Sequence, residues 1–443
     1  MKQIIEKTIS MAQDLGIEQC DVIANESKSL SLTSQNATIE TYKVNSSQVI
    51  GVRVIQGQRV GISYSEDATD ASLKTMLESA LRSSRFAEVD EHQTITQPKS
   101  EIIDRNPKTF QEDHTDLKKK QELTLFLESE VKKLEPKTAS IPYNGYGEGE
   151  SHHHYGNHHG LYTYEREKTF SCYTSSLMKD GAKQAFSFDS MIARTFGGLN
   201  AEEAVKNALY KTRVLLDATP VQTGSYDIIF DSESLQKLLG CFVGQFSGKS
   251  VKDGVSTFRD SIGKSIAHPE FTLRDLPHFE QGFACALTDS EGMLKKDLTL
   301  IEKGELKTFY HNSQTANYFG VSNTGHASRS AKGHLGTSLT QLCIDAGSAS
   351  NETVLNGKTI HIFSLEGLHA GVKPTSGDFS LAASGQLYEN GQVIQGVKGI
   401  TLSGNFFRML SEINAIGKVV HSSSDQSFFA PDIRFAGIKV AGN

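Results

Sequence analysis

The stretch DSESLQKLLGCFVGQFSG, residues 231–248, reads as a helix. Asp231 or Ser232 can accept from the free N–H groups of a first turn, and Glu233 sets negative charge against the positive end of the helix dipole. Leu235, Leu238, Leu239, Phe242 and Phe246 recur at helical spacing and make one apolar stripe. Gly240, Gly244 and Gly248 fall four apart on another face. Glycine inside a helix costs roughly 1 kcal/mol relative to alanine. The spacing therefore predicts close approach by another backbone; the alternative is a frayed helix with ordinary packing.

Outward from this stretch, residues 225–230 form a short strand that leads into it. Upstream, residues 200–216 are an amphipathic helix, with Pro220 just beyond its end. The domain boundary is placed at residues 217–224. The chain begins with an amphipathic helix over 3–16. Strand segments follow at 21–24, 30–33, 38–44, 49–55 and 59–64, then a helix over 67–86. Residues 88–113 are polar, contain Pro98 and Pro107, and read as an extended crossing. A charged helix over 115–134 and a hairpin over 170–191 complete this half. Downstream the pattern is mostly β: a strand at 283–287, an acidic turn at Asp289-Ser290-Glu291-Gly292, and a hairpin about Lys303-Gly304. A short helix is expected at 311–319, a strand at 358–365 and a helix at 405–413. Asn390-Gly391 is a strong two-residue hairpin signal, and residues 433–440 form a last strand. The fold class is α+β: an N-terminal α+β domain, residues 1–220, then a β-rich C-terminal domain, residues 221–443.

Composition narrows the function classes. A chain of 443 residues with 37% hydrophobic and 22% charged residues suits a globular protein of more than one core. A net charge of −7 without a long basic run argues against nucleic-acid binding, which relies on phosphate neutralisation. No apolar run reaches the ~20 residues that span a bilayer, and residues 1–6 lack a signal-peptide core. A cytoplasmic location is expected. Five cysteines, at 20, 172, 241, 285 and 343, include no Cys-x-x-Cys pair and read as reduced thiols.

Two clusters invite chemistry. SHHHYGNHHG, residues 151–160, holds five histidines in eight residues. A metal site there competes with a mobile polar loop. Asp289-Ser290-Glu291 reads as a turn, because nothing in the sequence sets a base beside the serine. No phosphate-binding glycine loop is present.

Several motifs carry a resemblance. Thr375-Ser376-Gly377-Asp378-Phe379-Ser380 is followed by the small-residue strand Ala382-Ala383-Ser384-Gly385 and by the turn Glu389-Asn390-Gly391. Asn323-Thr324-Gly325 makes a Thr-Gly turn, and Asn157-His158-His159-Gly160 lies between strands. With the helix at 231–248, these resemble the TldD/PmbA family, and its PmbA (TldE) branch in particular. In the TldD branch that helix carries His-Glu-x-x-x-His, which binds zinc and supplies a general base. The matching positions here are Gly240, Cys241 and Gln245. Zinc takes imidazole, thiolate or carboxylate donors, so the motif is degenerate. The TldD branch also has a C-terminal cysteine ligand, whereas no cysteine follows Cys343.

The resemblance implies a subunit with no cofactor and no catalytic residue of its own. It would pair with a zinc-binding, TldD-like metallopeptidase subunit and act on unfolded peptides. The sequence leaves a homodimer open beside that heterodimer. The family is also linked to peptide-antibiotic maturation, antitoxin turnover and modulation of DNA gyrase. Thr375, Ser376, Gly377 and Asp378 are the expected lining of a peptide cleft. Two alternatives stand beside this reading: an independent metal hydrolase using the His152–His159 cluster or another site, and a regulatory binding protein without a peptidase partner.

Overall fold

The computed structural model describes residues 1–97 and 106–443. Part of the expected crossing, including Pro98, lies outside them. The amphipathic helices form where the apolar periodicity sets them: α1 Lys2–Asp14, α2 Asp70–Ser84, and, after the single turn α3 Asn106–Thr109, α4 Leu117–Leu134. The strand segments of the first half merge into long strands. These are β1 Gln19–Gln35, β2 Thr38–Gln56 and β3 Arg59–Ser65. A three-residue β4, Thr138–Ser140, precedes β5 Asn144–Asn157, β6 Tyr162–Asp180 and β7 Lys183–Ala193. Together they make a seven-stranded sheet in the order β3-β2-β1-β5-β6-β4, with β7 beside β6. The helices α1 and α2 cover one stretch of it through Ile5, Ala12, Leu73, Met76 and Leu77. The helix α5, Ala201–Leu216, covers another with Val205 and Leu209.

The second sheet has eleven strands. Within it, β8 Gly224–Phe230, Lys358–Glu366, Asp378–Glu389, Gln392–Asn405 and Phe428–Ala441 pair in sequence, and the last returns to pair with β8. This closed circuit encloses Ile228, Phe230, Ile360, Leu402 and Phe435, all 2% exposed or less. Asn390 and Gly391, both at positive φ (49° and 77°), turn one hairpin of the circuit.

Three expectations are corrected. Residues 231–248 do not form one helix. α6 Ser232–Gly240 stops at Cys241, a 3₁₀ turn spans Val243–Phe246, and Gly248–Lys252 starts a new helix capped by Ser247. The break lets Phe242 stack on Phe406 at 4.5 Å and Phe246 on Phe258 at 5.1 Å. The expected glycine face is absent: nothing lies within 4 Å of a Cβ at Gly240 or Gly244. Only Gly248 meets a close neighbour, the His311 ring. Residues 283–287 are not a strand, because their N–H groups serve other partners. Ala284 donates to the Gln341 side chain, and Leu287 to Glu165.

The two halves meet through a buried ionic cluster. Arg53 of β2 bonds Asp21 of β1 at 2.5 Å and Glu291 of the acidic turn at 3.1 Å. Arg329 bonds the other oxygen of Asp21. All four side chains are at most 1% exposed.

Candidate functional site

The seven positions nominated from the sequence lie close to one another on the C-terminal half. Asp231 caps α6 by accepting from the Ser234 N–H at 2.8 Å. At the other end, Gly240 is exposed and Cys241 is half-buried. The Cys241 thiol donates to the Lys237 carbonyl at 3.3 Å, and burial raises its pKa. Gln245 points the other way and is 5% exposed. Its Oε1 accepts from the Thr257 N–H at 2.9 Å. The three positions thus diverge: one has no side chain, one is a protonated thiol, and one is turned inward. They do not fit a zinc site, which needs converging charged or imidazole donors.

Thr257 joins this turn to the second group. Its hydroxyl donates to the Thr375 carbonyl at 2.5 Å. Asn405 Nδ2 donates to the Ser376 carbonyl at 2.8 Å and to Asp378 Oδ1 at 2.9 Å. Ser376 Oγ donates to Asp378 Oδ2 at 2.8 Å. The Asn405 and Ser376 bonds hold the Asp378 carboxyl below its usual range. Gly377 has φ +84° and packs under the Phe407 ring, a conformation that suits glycine. Thr375, Ser376 and Asp378 are exposed. The loop is therefore held rigidly from below while its upper side is open.

Most of the histidine run is strand, and only His158 and His159 lie in the turn between β5 and β6. Residues 151–157 lie within β5, so successive rings alternate between the faces of the sheet. His152 bonds Tyr164 and Glu150, His154 bonds Tyr162, and His153 bonds Asn25. His158 and His159 bond backbone carbonyls. No group of three metal-ligating side chains occurs among the described residues.

Sequence reasoning missed a cavity of about 570 Å³ between the halves. Strands β5 and β6 supply Ser151, His153 and Glu165 to it, and the loops after Phe283 supply Asp289, Lys295, Ser328 and Thr340. Glu165 accepts from Thr288 N at 2.8 Å, from Thr288 Oγ1 at 2.7 Å and from Leu287 N at 3.3 Å. Asp289 accepts from the N–H groups of Glu291, Met293 and Ala327. Burial, and then the neighbouring Glu291, push its carboxyl up to about 7. Burial lowers the Lys295 pKa against the pull of Asp275, Asp289 and Glu165. The acidic turn was visible in the sequence, but nothing local signalled that Lys295 faces a cavity.

Three family models match the chain: PmbA/TldA metallopeptidase domain 1 over residues 20–84, the central domain over 111–216 and the C-terminal domain over 223–442. The metalloprotease PmbA of Escherichia coli O157:H7 is 25% identical, over 98% of this chain and 97% of the relative. A PmbA homolog of Haemophilus influenzae is 24% identical, over 100% and 96%. The chain belongs to the PmbA/TldD metallopeptidase family, in its PmbA (TldE) branch. Two crystal structures share the fold. One is TldE of Thermococcus kodakarensis (TM-score 0.85, 19% identity, 99% of this chain and 100% of that one). The other is a Thermotoga maritima protein described as a candidate modulator of a DNA gyrase (TM-score 0.88, 24% identity, 99% and 100%). No helix among the described residues is long and apolar enough to cross a membrane.

Proposed function

We propose that this chain is the non-zinc-binding subunit of a TldD/TldE-type heteromeric metallopeptidase that cleaves unfolded peptides. The observation that supports this is the donor set at the turn after α6. Gly240 offers no ligand, the Cys241 thiol bonds Lys237, and Gln245 is bonded to Thr257 beneath the surface. Hydrolysis of a peptide bond needs an activated water and a stabilised oxyanion, which zinc and a carboxylate base supply together. A TldD-like partner in the cytoplasm would bring both.

This subunit would contribute the loop with Thr375, Ser376, Gly377 and Asp378 to the wall of a shared cleft. Open strand edges and exposed backbone can hold an extended peptide without regard to its sequence. Enclosure by two subunits would restrict cleavage to chains flexible enough to thread in.

The test is a peptide-cleavage assay on this chain, on the TldD-like partner, and on the mixture, each with and without chelator. Chelator-sensitive cleavage by the mixture alone is expected. Cleavage by this chain alone contradicts the reading, and full activity of the partner alone removes the role assigned here.

A further inference from the structure

We propose that the cavity between the two halves is a binding site for a small carboxylate, seated on the ammonium group of Lys295. Lys295 is 7% exposed and lines the cavity. Among the described residues its ammonium has no hydrogen bond and no ion pair. An ammonium carries three donors and no acceptor, and burying one without a partner is expensive. Asp275, Asp289 and Glu165 attract the Lys295 ammonium electrostatically, yet among the described residues no carboxylate of the cavity wall hydrogen-bonds it, and each holds other partners. Glu165 holds Leu287 and Thr288. Glu167 pairs with Arg194 at 2.7 Å. Asp289 holds three backbone N–H groups, and Asp425 holds Ser423 and Ser427.

The hydroxyls on the wall show the opposite pattern. Ser328 and Thr340 are half-buried there, and Ser151 and Ser338 stand exposed at the mouth. None of these four hydroxyls bonds another group among the described residues. The cavity therefore offers the Lys295 ammonium and four uncommitted hydroxyls as donors to a ligand with anionic oxygens. Asp289, already inclined to hold a proton near neutrality, loses its repulsion toward an arriving anion by taking one. At about 570 Å³ the space is in the range of small-molecule pockets. The carboxylate can belong to a free small acid or to the C-terminus of a short peptide. None of the positions assigned to the peptidase reading lines this cavity, so the two stand independently.

The experiment is isothermal titration of the full chain with N-acetyl-trialanine, with its C-terminal amide, and with succinate. At least one acid is expected to bind, with Kd near or below about 1 mM. The amide is expected to bind at least about tenfold more weakly than N-acetyl-trialanine when the peptide acid is the ligand. Binding of succinate without the tripeptide identifies a free small acid; the reverse identifies a peptide terminus. Lys295→Met should weaken binding at least about tenfold. A second measurement on the unaltered protein covers the case in which that variant does not fold. The bound acid should slow acetylation of Lys295 by acetic anhydride, read by mass spectrometry. Binding of the tripeptide acid no tighter than its amide, binding of neither acid, or unchanged Lys295 labelling by a bound acid overturns the proposal.

Discussion

At the residue scale, the glycines after α6 separate two meanings of one spacing. Gly240 and Gly244 have open space where a side chain would go, whereas a Cβ at Gly248 would overlap the His311 ring. Gly240→Ala should therefore leave stability unchanged or raise it by up to about 1 kcal/mol. Gly248→Ala should lower it by about 1–3 kcal/mol through overpacking. Urea unfolding of the two variants checks both. The ionic cluster gives a larger effect. Arg53→Met would leave Asp21 and Glu291 buried with one guanidinium fewer, an expected loss of about 3–5 kcal/mol by the same measurement. The sequence made Gly240, Cys241 and Gln245 legible as a degenerate motif. It could not show Arg53 or Arg329 beside Asp21 and Glu291, because those partners are up to 308 positions apart.

At the element scale, local periodicity was a good guide wherever one face of an element is buried. The helices α1, α2, α4 and α5 and the Asn390-Gly391 hairpin follow from it directly. It failed where distant side chains take over the backbone bonding. The Phe stripe of residues 231–248 is buried as expected, yet contact with Phe258, Phe406 and Phe407 favours a broken helix. The histidine run looked polar and was open to a loop reading, but pairing with β1 and β6 makes His152–His154 part of a strand and leaves only His158 and His159 in a turn. The Thr375–Asp378 loop hangs on a few bonds from neighbouring elements. Thr257→Val removes the bond to the Thr375 carbonyl. Amide exchange at residues 375–378 should then rise, while the melting temperature changes little. Unchanged exchange would show that Asn405 alone holds the loop.

At the scale of the whole molecule, contacts across the halves predict joint unfolding. Arg53–Glu291, Arg329–Asp21, Lys252–Asp90 and Glu165–Thr288 all span them. A single calorimetric transition is expected, with two transitions appearing when Arg53 is replaced. Acid should weaken this structure. Burial lowers His154, His311 and His361 to about 4, from an ordinary 6.5. The folded chain keeps them neutral while the unfolded chain takes up their protons. Their contribution is thus complete above pH 6.5 and is lost as pH falls toward about 4. Asp289, raised from 3.8 to about 7, acts in the opposite direction, losing its contribution as pH rises to about 7. Three histidines outweigh one aspartate, so net loss on acidification is expected. His361→Phe should reduce that net slope by about half, as read from urea midpoints between pH 6.5 and 5.

The strand Phe428–Ala441 pairs with β8, Leu342–Ile344, Gln392–Asn405 and Ile413–Ser422. Synthesis on the ribosome proceeds from the amino end, so the strand with the most neighbours emerges after all of them. Until it does, β8 and Gln392–Asn405 each have an open edge and the circuit cannot close. The nascent second half must wait in an unfinished state, with exposed strand edges that invite mispairing. A stalled ribosome that releases the chain before residue 428 would give a product with most of its sequence but without the strand that closes its larger sheet.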